Sequence, residues 1–313
     1  MSGKIAFLFP GQGSQFIGMG KDMAEYFSEA KEIFDQLDDV CNKPMSKLCF
    51  EGPIEELTLT VNLQPAITAV NLACLSALRK SGSRPVVSAG HSLGEYSALA
   101  AAESLSDYDA LRIVKKRGEL MHRESLSNPG TMAAILGMSV EEVDRIVAKA
   151  QNSGVLAVAN HNTAEQIVIS GEQGPLSKAI EIVKKNGGKA IPLKVSGAWH
   201  CPLMEKAVDD FHQFVKDIPF SAPQTTVLFN ATAESETGPG EIKELMVKQL
   251  ISPVKWYDII LNMVSSGVDT FVEVGPKKVL TGLVKKILPR DTEAKTYNIE
   301  DTQSLENFLK AVA

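Results

Sequence analysis

The chain has 313 residues, of which 44% are hydrophobic and 22% charged, enough for one large core or two modest ones. Its 32 Lys and Arg residues against 38 Asp and Glu residues give a net charge of −6, which argues against nucleic acid as the main partner. Widely spaced cysteines, no signal-peptide pattern and no apolar run of membrane-spanning length predict a soluble cytoplasmic protein without disulfides, metal site or membrane partner.

The first predicted strand is the apolar run Ile5–Phe9, which is typical of a buried central strand. It leads into a glycine-rich loop at residues 10–15. We reject a dinucleotide site here, because the third glycine stands at Gly18 and no acidic residue closes a second strand at the required distance. Helices are predicted over residues 25–40 and 64–80, the second with an apolar stripe.

A Gly-x-Ser-x-Gly motif at residues 90–94 follows a short apolar run at 86–89 and precedes a stretch rich in helix formers. In a strand, sharp turn and helix, a serine is exposed on a strained turn, and glycines let strand and helix approach closely. The free N–H groups that begin the helix would stabilise an oxyanion there. The pattern predicts Ser92 as a nucleophile; the alternative is a glycine-rich turn that only joins two elements.

A third helix is predicted from Ser106 to about residue 123, with Arg117 in the middle of its apolar arc. A guanidinium that faces the core requires a partner, because burying a lone charge is costly. One interpretation is a structural salt bridge or a side chain that reaches out to water. The other is an anion site beside the turn at residue 92, in which Arg117 binds a carboxylate through two parallel hydrogen bonds.

Residues 131–195 show the order strand, helix, strand, strand, helix, strand, which is typical of a ferredoxin-like unit. We therefore predict an inserted ferredoxin-like α+β subdomain at 128–196. The remaining parts, 1–127 and 197–313, would form an α/β hydrolase-like core with a parallel central sheet. A cleft between the two would be the natural position of a binding site.

The core resumes with helices at 203–215 and 241–250, a helix from about residue 254, strands at 226–229 and 270–274, and a last helix at 279–287. A nucleophilic serine needs a base, and histidine has a suitable pKa. His200 lies in a loop after a strand and is the predicted base; the alternative is a loop histidine bound by backbone. His91 should point away from Ser92, His161 lies in the insert, and His122 and His212 should be surface residues.

The imidazole of His200 needs an acceptor that fixes its orientation, and no acidic residue between Ser92 and His200 stands out. The backbone carbonyl of Gln249 is a candidate, because its helical partner would be Pro253, which has no N–H. We therefore expect Gln249→Ala to retain activity within about tenfold, Pro253→Ala to lose more, and the pKa of His200 not to be strongly raised.

Several motifs together resemble the malonyl-CoA:acyl carrier protein transacylases of fatty acid synthesis, and the resemblance spans essentially the whole chain. The matching residues are FPGQGSQ at 9–15, GHSLGE at 90–95, KRG at 116–118, the loop that ends in His200, Gln249 with Pro253, and EVGP at 273–276. The family's fold, a hydrolase-like α/β core with a ferredoxin-like insert, agrees with the predicted elements.

The resemblance implies a role for each matching residue. Ser92 would accept the acyl group, His200 would be the base and Arg117 would bind the malonyl carboxylate. The backbone N–H groups of Gln12 and Leu93 would form the oxyanion hole. The Gln249 carbonyl would hold His200.

The implied reaction is ping-pong transfer between a coenzyme A thioester and acyl carrier protein. The phosphopantetheine arm belongs to the carrier, so no bound cofactor or metal is expected, and we expect a monomer. An acidic carrier would bind a basic patch. The candidate lysines are Lys184, Lys185, Lys189 and Lys194 in the insert, or Lys277, Lys278, Lys285 and Lys286 near the C-terminus.

Two departures from the family concern the substrate pocket. Trp199 stands where relatives often carry Phe or Ser, and Thr163-Ala164 follow Asn162 where relatives often carry Ser-Pro. We expect Leu93, Trp199 and Met121 to limit the acyl pocket. The second departure leaves substrate contacts by Asn160 or Asn162 open.

Two other functions use parts of the same pattern. A serine esterase or thioesterase would use the same turn, would have no use for an inward Arg117, and would release free malonate without a thiol acceptor. A non-catalytic carrier-binding module would not need Ser92 and would form no acyl-serine.

Overall fold

A computed structural model describes residues 3–289 and 292–312 of the chain. Within them the strands are β1 Ile5–Phe9, β2 Val87–Gly90, β3 Thr131–Leu136, β4 Leu156–Thr163, β5 Gln166–Gly171, β6 Lys189–Pro192, β7 Thr226–Val227, β8 Thr270–Val274 and β9 Lys295–Ile299. The helices are α1 Lys21–Tyr26, α2 Ser28–Cys41, α3 Met45–Glu51, α4 Ile54–Leu57, α5 Thr60–Lys80, α6 Gly94–Ala101, α7 Asp107–Ser127, α8 Val140–Ala150, α9 Gln173–Lys185, α10 Glu205–Val215, α11 Pro239–Lys248, α12 Trp256–Ser265, α13 Val279–Ile287 and α14 Thr302–Val312. Short 3-10 turns lie at Gln151–Ser153, Pro202–Met204 and Gln249–Ile251.

A parallel sheet with the strand order β7-β2-β1-β8-β9 confirms the predicted α/β core. Its middle strands are almost completely buried, because helices cover both faces of a parallel sheet. Alternate residues of β1 therefore enter two different cores. Phe7 and Phe9 pack with the long helices α5 and α7, and Ala6 and Leu8 pack with α12 and α13.

A second, antiparallel sheet with the order β4-β5-β3-β6 confirms the predicted ferredoxin-like unit. One face of this sheet packs on α8 and α9, whereas Met132 and Val168 on the other face line the cavity that also contains Ser92. Helix α8 begins with the capping box of Ser139 and Glu142. The sheet lies within the predicted subdomain, whose limits at 128 and 196 stay a prediction.

Several element boundaries differ from the expected ones. The helix predicted over 25–40 is divided into α1 and α2, because Phe27 adopts an extended conformation between them. Strand β4 runs on to Thr163, beyond the predicted end at residue 159. The sequence patterns also missed α3, α4, β9 and α14, the last two of which complete one edge of the central sheet and cover it.

Helix α5 corrects the expectation that no segment reaches membrane-spanning length. Its 21 residues have a window with a mean hydropathy of 1.3, long and apolar enough by composition to cross a membrane. However, 89% of that window is buried inside the protein, where α5 packs against α2 and α7. Core helices of soluble proteins meet the same criterion, and the burial of α5 fits such a helix.

Candidate active site

Ser92 lies on the sharp turn between β2 and α6, as its motif predicts. Its φ of 53° is in the left-handed region, which non-glycine residues rarely occupy outside strained functional turns. The flanking glycines are sterically required. A Cβ at Gly90 would lie 1.9 Å from the Gly94 carbonyl carbon, and one at Gly94 would lie 2.0 Å from the Phe9 oxygen. The local sequence therefore produces a tight turn between strand and helix, on which the Ser92 side chain is exposed to the cavity.

His200 is the histidine that contacts Ser92, with 2.8 Å between its Nε2 and the Ser92 Oγ. Its other ring nitrogen, Nδ1, lies 2.9 Å from the backbone oxygen of Gln249, so the predicted contact is present. This oxygen is not free, because the Ser252 N–H also donates to it at 3.3 Å. Burial, together with the positive charge of Arg117, lowers the pKa of His200 to about 3. The imidazole is therefore neutral and can accept the Ser92 proton.

The side chains of the other four histidines, all within the described residues, form no hydrogen bond with Ser92. His91, predicted to point away from Ser92, has its Nε2 2.9 Å from Asn162 Oδ1. His161 of the insert packs on the ring of Tyr257 in α12. His212 is exposed and pairs with Glu244, but His122 is only half-exposed, so its prediction as a surface residue is wrong in part.

Arg117 is fully enclosed, with 1% of its surface exposed, and it points from α7 toward Ser92. Its Nη2 donates to the Ser92 Oγ at 3.1 Å and to the Gln249 side-chain oxygen at 2.9 Å, while Nη1 donates to Gln64 Oε1 at 2.8 Å. Among the described residues it forms no salt bridge with a carboxylate. This geometry disfavours the structural ion pair and leaves a buried cation beside the nucleophile.

A polar network behind Ser92 contains residues to which the sequence patterns gave no role. Asn230 Oδ1 accepts from the Ser92 N–H at 2.7 Å, and Asn230 Nδ2 donates to the Gly90 carbonyl at 2.7 Å. The buried Glu95 carboxyl accepts from the Asn230 N–H at 3.1 Å and from Gln249 Nε2 at 2.8 Å. Burial raises the pKa of Glu95 to about 8 against these hydrogen bonds. The network holds the strained turn in place.

The backbone N–H groups of Gln12 and Leu93 fit the implied oxyanion hole. Both residues line the cavity in front of Ser92. Within residues 3–289 and 292–312, neither N–H has a hydrogen-bond acceptor. Two free donors at the start of α6 and in the neighbouring loop can stabilise a negative oxygen.

The cavity has a volume of about 210 Å³ and is lined by both parts of the molecule. The predicted pocket residues Leu93, Trp199 and Met121 all line it, and so do Asn160 and Asn162 from the unpredicted end of β4. The described residues contain no cluster of three or more His, Cys, Asp or Glu side chains that could hold a metal ion.

Gly197 explains how the loop before His200 accommodates an indole. A Cβ at this glycine would lie 2.6 Å from the Trp199 ring and 2.7 Å from the Ser125 Cβ. The ring therefore occupies space that only a glycine leaves open. Trp199 is 5% exposed and closes one side of the cavity.

Helix α13 forms one side of the cavity through Val279, Leu280 and Leu283. It is held by Glu273 at the end of β8, whose carboxylate accepts from the N–H groups of Leu280 and Thr281 at 2.9 and 2.7 Å. An acid that accepts from the first N–H groups of a helix stabilises its N-terminus, so Glu273 has a structural role.

Comparison with known proteins identifies the family. The family model of the acyl transferase domain matches residues 6–306. The malonyl CoA-acyl carrier protein transacylase of Bacillus subtilis (strain 168) is 45% identical over 311 residues, which cover 99% of this chain and 97% of the relative. The crystal structure of the transacylase of that name from Clostridium perfringens matches with a TM-score of 0.93 and 40% identity, covering 99% of this chain and 97% of the other.

A further solved relative shows a carrier complex. It is a malonyl-transacylase bound to its type II polyketide synthase acyl-carrier protein, with a TM-score of 0.94, 35% identity, and coverage of 98% of this chain and 99% of that chain. The match of the family model and the identity over almost the full length agree with the serine turn, the histidine and the buried arginine. The chain belongs to the malonyl-CoA:acyl carrier protein transacylase family of acyltransferases.

Proposed function

We propose that the chain transfers a malonyl group from malonyl-CoA to the phosphopantetheine thiol of acyl carrier protein through an acyl-Ser92 intermediate, for fatty acid elongation. The observation that most supports this function is that both His200 and Arg117 contact the Oγ of Ser92. Incubation with malonyl-CoA and the holo carrier tests it: the carrier should gain one malonyl mass. Hydrolysis of malonyl-CoA with an unchanged carrier mass would favour a thioesterase.

In the first half-reaction, the Ser92 hydroxyl gives its proton to His200 Nε2 while its oxygen attacks the thioester carbon. The carbonyl oxygen becomes negative and accepts hydrogen bonds from the N–H groups of Gln12 and Leu93. When this intermediate collapses, the carbon–sulfur bond breaks and the coenzyme A sulfur takes the proton from His200. The products are malonyl-Ser92 and free coenzyme A.

In the second half-reaction, the carrier's thiol gives its proton to His200 and its sulfur attacks the malonyl-serine ester. Collapse returns the proton to Ser92 and releases the malonyl-carrier. The protein supplies the base, the oxyanion donors and the cation of Arg117, and the carrier brings its own phosphopantetheine. A thioesterase would use water here and would gain nothing from a buried guanidinium.

For carrier docking, the C-terminal candidate lysines are favoured over those of the insert. Lys277 and Lys278 directly precede α13, and Lys285 and Lys286 lie in its last turn, so all four lie on or next to the helix that forms one side of the cavity. An acidic carrier bound there would place its arm beside the opening. Opposite charges of this kind mainly raise the association rate.

We also infer a cytoplasmic monomer. Asn230, His200 and Arg117 reach Ser92 within one chain, so these contacts need no second copy. The elution volume and light scattering of the purified protein should correspond to 33.8 kDa.

The lowered pKa of His200 predicts how acylation depends on pH. His200 acts as a base only while neutral, so a lowered pKa extends its working range to lower pH. The rate of Ser92 acylation at subsaturating malonyl-CoA should stay constant between about pH 7 and pH 5. Rapid-quench mass spectrometry gives this rate; a decline centred near pH 6.5, the ordinary histidine value, would contradict the expectation.

The structure increases the effect expected of Gln249→Ala. Besides its carbonyl, Gln249 contributes a side chain that bonds Arg117, Glu95 and the Ser92 carbonyl. Losing hydrogen bonds to charged groups costs about 1.5–3 kcal/mol, so we expect malonyl transfer to fall by about 10- to 150-fold. A loss below threefold in steady-state turnover would show that the side chain is dispensable.

Pro253→Ala should have the smaller effect, which reverses the order expected from the sequence. The chain leaves the 3-10 turn at Ser252 in an extended conformation, and Val254 then pairs with β4 through the carbonyl of Ala159. A new N–H at residue 253 therefore lies outside any helix. Turnover of Pro253→Ala measured beside that of Gln249→Ala checks the order.

Trp199 should limit the size of the acyl group. We expect the protein to prefer malonyl-CoA to methylmalonyl-CoA, and Trp199→Ser to relax this preference by about 1–3 kcal/mol, a typical value for one methyl group. Trp199→Phe is the matched control, because it retains an aromatic ring against Gly197. Equal kcat/KM for the two substrates in the wild type would refute this role.

A further inference from the structure

Three of the five N–H groups of Arg117 have hydrogen-bond acceptors among the described residues, including both of those on Nη2, whereas Nε has none. Each Nη nitrogen carries two hydrogens. Those of Nη2 have two acceptors, the Gln249 side-chain oxygen at 2.9 Å and the Ser92 Oγ at 3.1 Å. Nη1 has one, Gln64 Oε1 at 2.8 Å. A carboxylate that accepts from both Nη nitrogens must therefore replace one partner of Nη2, and the longest of the three bonds is the one to Ser92.

The bond from Arg117 affects Ser92 as a nucleophile. The Ser92 Oγ donates its proton to His200 Nε2 and accepts a hydrogen bond from the guanidinium. A lone pair of oxygen that is bound to a cation is less available for attack on a carbonyl carbon, and charge-assisted bonds of this kind are the stronger ones. The hydrogen bond from Arg117 therefore makes the Ser92 oxygen less nucleophilic.

The guanidinium also disfavours a positive charge on His200. When His200 takes the Ser92 proton, a second positive charge forms beside Arg117 in a buried site. The groups that face the imidazole do not compensate this charge: Gln249 and Ser252 offer neutral backbone atoms, and His91 is a further cationic group when protonated. Glu95 contacts Gln249 and not His200. Burial and the charge of Arg117 together lower the pKa of His200.

We propose that the carboxylate of the substrate activates the Ser92–His200 pair: by binding Arg117, it takes over the N–H that restrains the Ser92 oxygen and neutralises the charge that opposes protonation of His200. This inference rests on the proposed function and deepens it. Discrimination against neutral acyl groups then resides in the acylation rate and not only in binding. An acyl-CoA without a carboxylate leaves the nucleophile restrained even when it occupies the cavity.

A substrate divided into two pieces tests this activation. Acetyl-CoA brings the thioester without the carboxylate, and formate brings the carboxylate. The acetyl group and formate are both small against a cavity of about 210 Å³. Acetylation of Ser92 in the wild-type protein should accelerate with formate by about tenfold and reach a plateau, as expected for one charge-assisted bond. Sodium chloride at equal ionic strength is the control. An acetylation rate that is unchanged or reduced by formate overturns the proposal.

Arg117→Met provides the second measurement, since it removes the restraint without a carboxylate. This variant should acetylate Ser92 faster than the wild type and should no longer respond to formate. Acetylation no faster than in the wild type would also overturn the proposal. The formate series on the wild-type protein decides the question even if the variant does not fold.

Malonylation of the wild-type protein, measured in the same series, distinguishes a failure of the activation from a failure of the proposed function. Malonyl-Ser92 that forms normally while formate has no effect removes the activation and leaves the proposed function intact. Failure to form malonyl-Ser92 removes the proposed function itself.

Discussion

Ser92→Ala should abolish the covalent malonyl adduct that forms when the wild-type protein is mixed with malonyl-CoA. The serine is the residue on the strained turn, its Oγ lies 2.8 Å from His200 Nε2, and its φ of 53° is retained at the cost of backbone strain. Alanine leaves the turn intact and removes only the nucleophilic oxygen. Intact-protein mass spectrometry after seconds of mixing should show one added malonyl group in the wild type and none in the variant.

The matched control is Ser127→Ala, which removes a hydroxyl from the exposed end of α7. Its adduct should form at the wild-type rate. A Ser92→Ala protein that is labelled as quickly as the wild type would disprove the assignment of the nucleophile and, with it, the proposed ping-pong reaction. Circular dichroism of both variants verifies that the fold is retained.

The parts of the site that could be predicted are those with a local physical cause. The turn at Ser92 requires glycines within two residues of it, and the sequence shows them directly. Arg117 was identifiable because the 3.6-residue period of a helix places it among apolar residues. A buried charge there is stable only with a partner. The carbonyl of Gln249 could be predicted as an acceptor for His200 because Pro253 has no N–H to donate to it.

The rest depends on contacts between distant segments. Asn230 supports Ser92 from 138 residues away and belongs to no motif. Gln64, which binds Arg117, lies in a helix whose apolar pattern predicted only core packing. Strand β4 continues to Thr163 along β5, the His161 N–H also donates to the carbonyl of the distant Val254, and Asn162 contacts His91. No local pattern contains this information.

The polar network also explains why two strained residues can persist in one site. Both Ser92 and His200 have positive φ, and each such conformation costs about 1–3 kcal/mol. Asn230 fixes the first through the backbone of the turn, and the Gln249 carbonyl fixes the second through the imidazole. The surrounding hydrogen bonds therefore hold the two reacting groups within contact distance before the substrate arrives.

Arg117→Ala should reduce malonyl transfer by about 10²- to 10⁴-fold, which corresponds to about 3–5 kcal/mol for one partner of a buried charge pair. The guanidinium is 1% exposed and has no carboxylate partner among the described residues, so the substrate's carboxylate is the anion that it lacks. Transfer of acetyl, a neutral group, should decrease far less or improve. Measuring kcat/KM for both acyl-CoA substrates gives the comparison.

Two further variants show which property of Arg117 matters. Lys116→Ala removes a neighbouring charge on the other side of α7 and should leave both transfers unchanged. Arg117→Lys retains the charge and loses the planar pair of donors, so its malonyl transfer should lie between those of the wild type and Arg117→Ala. Equal losses of malonyl and acetyl transfer in a folded Arg117→Ala protein would show that the arginine is structural. A loss confined to malonyl, with Arg117→Lys intermediate, requires that the guanidinium contact the carboxylate itself, because lost packing would affect both acyl groups and Arg117→Lys retains the charge.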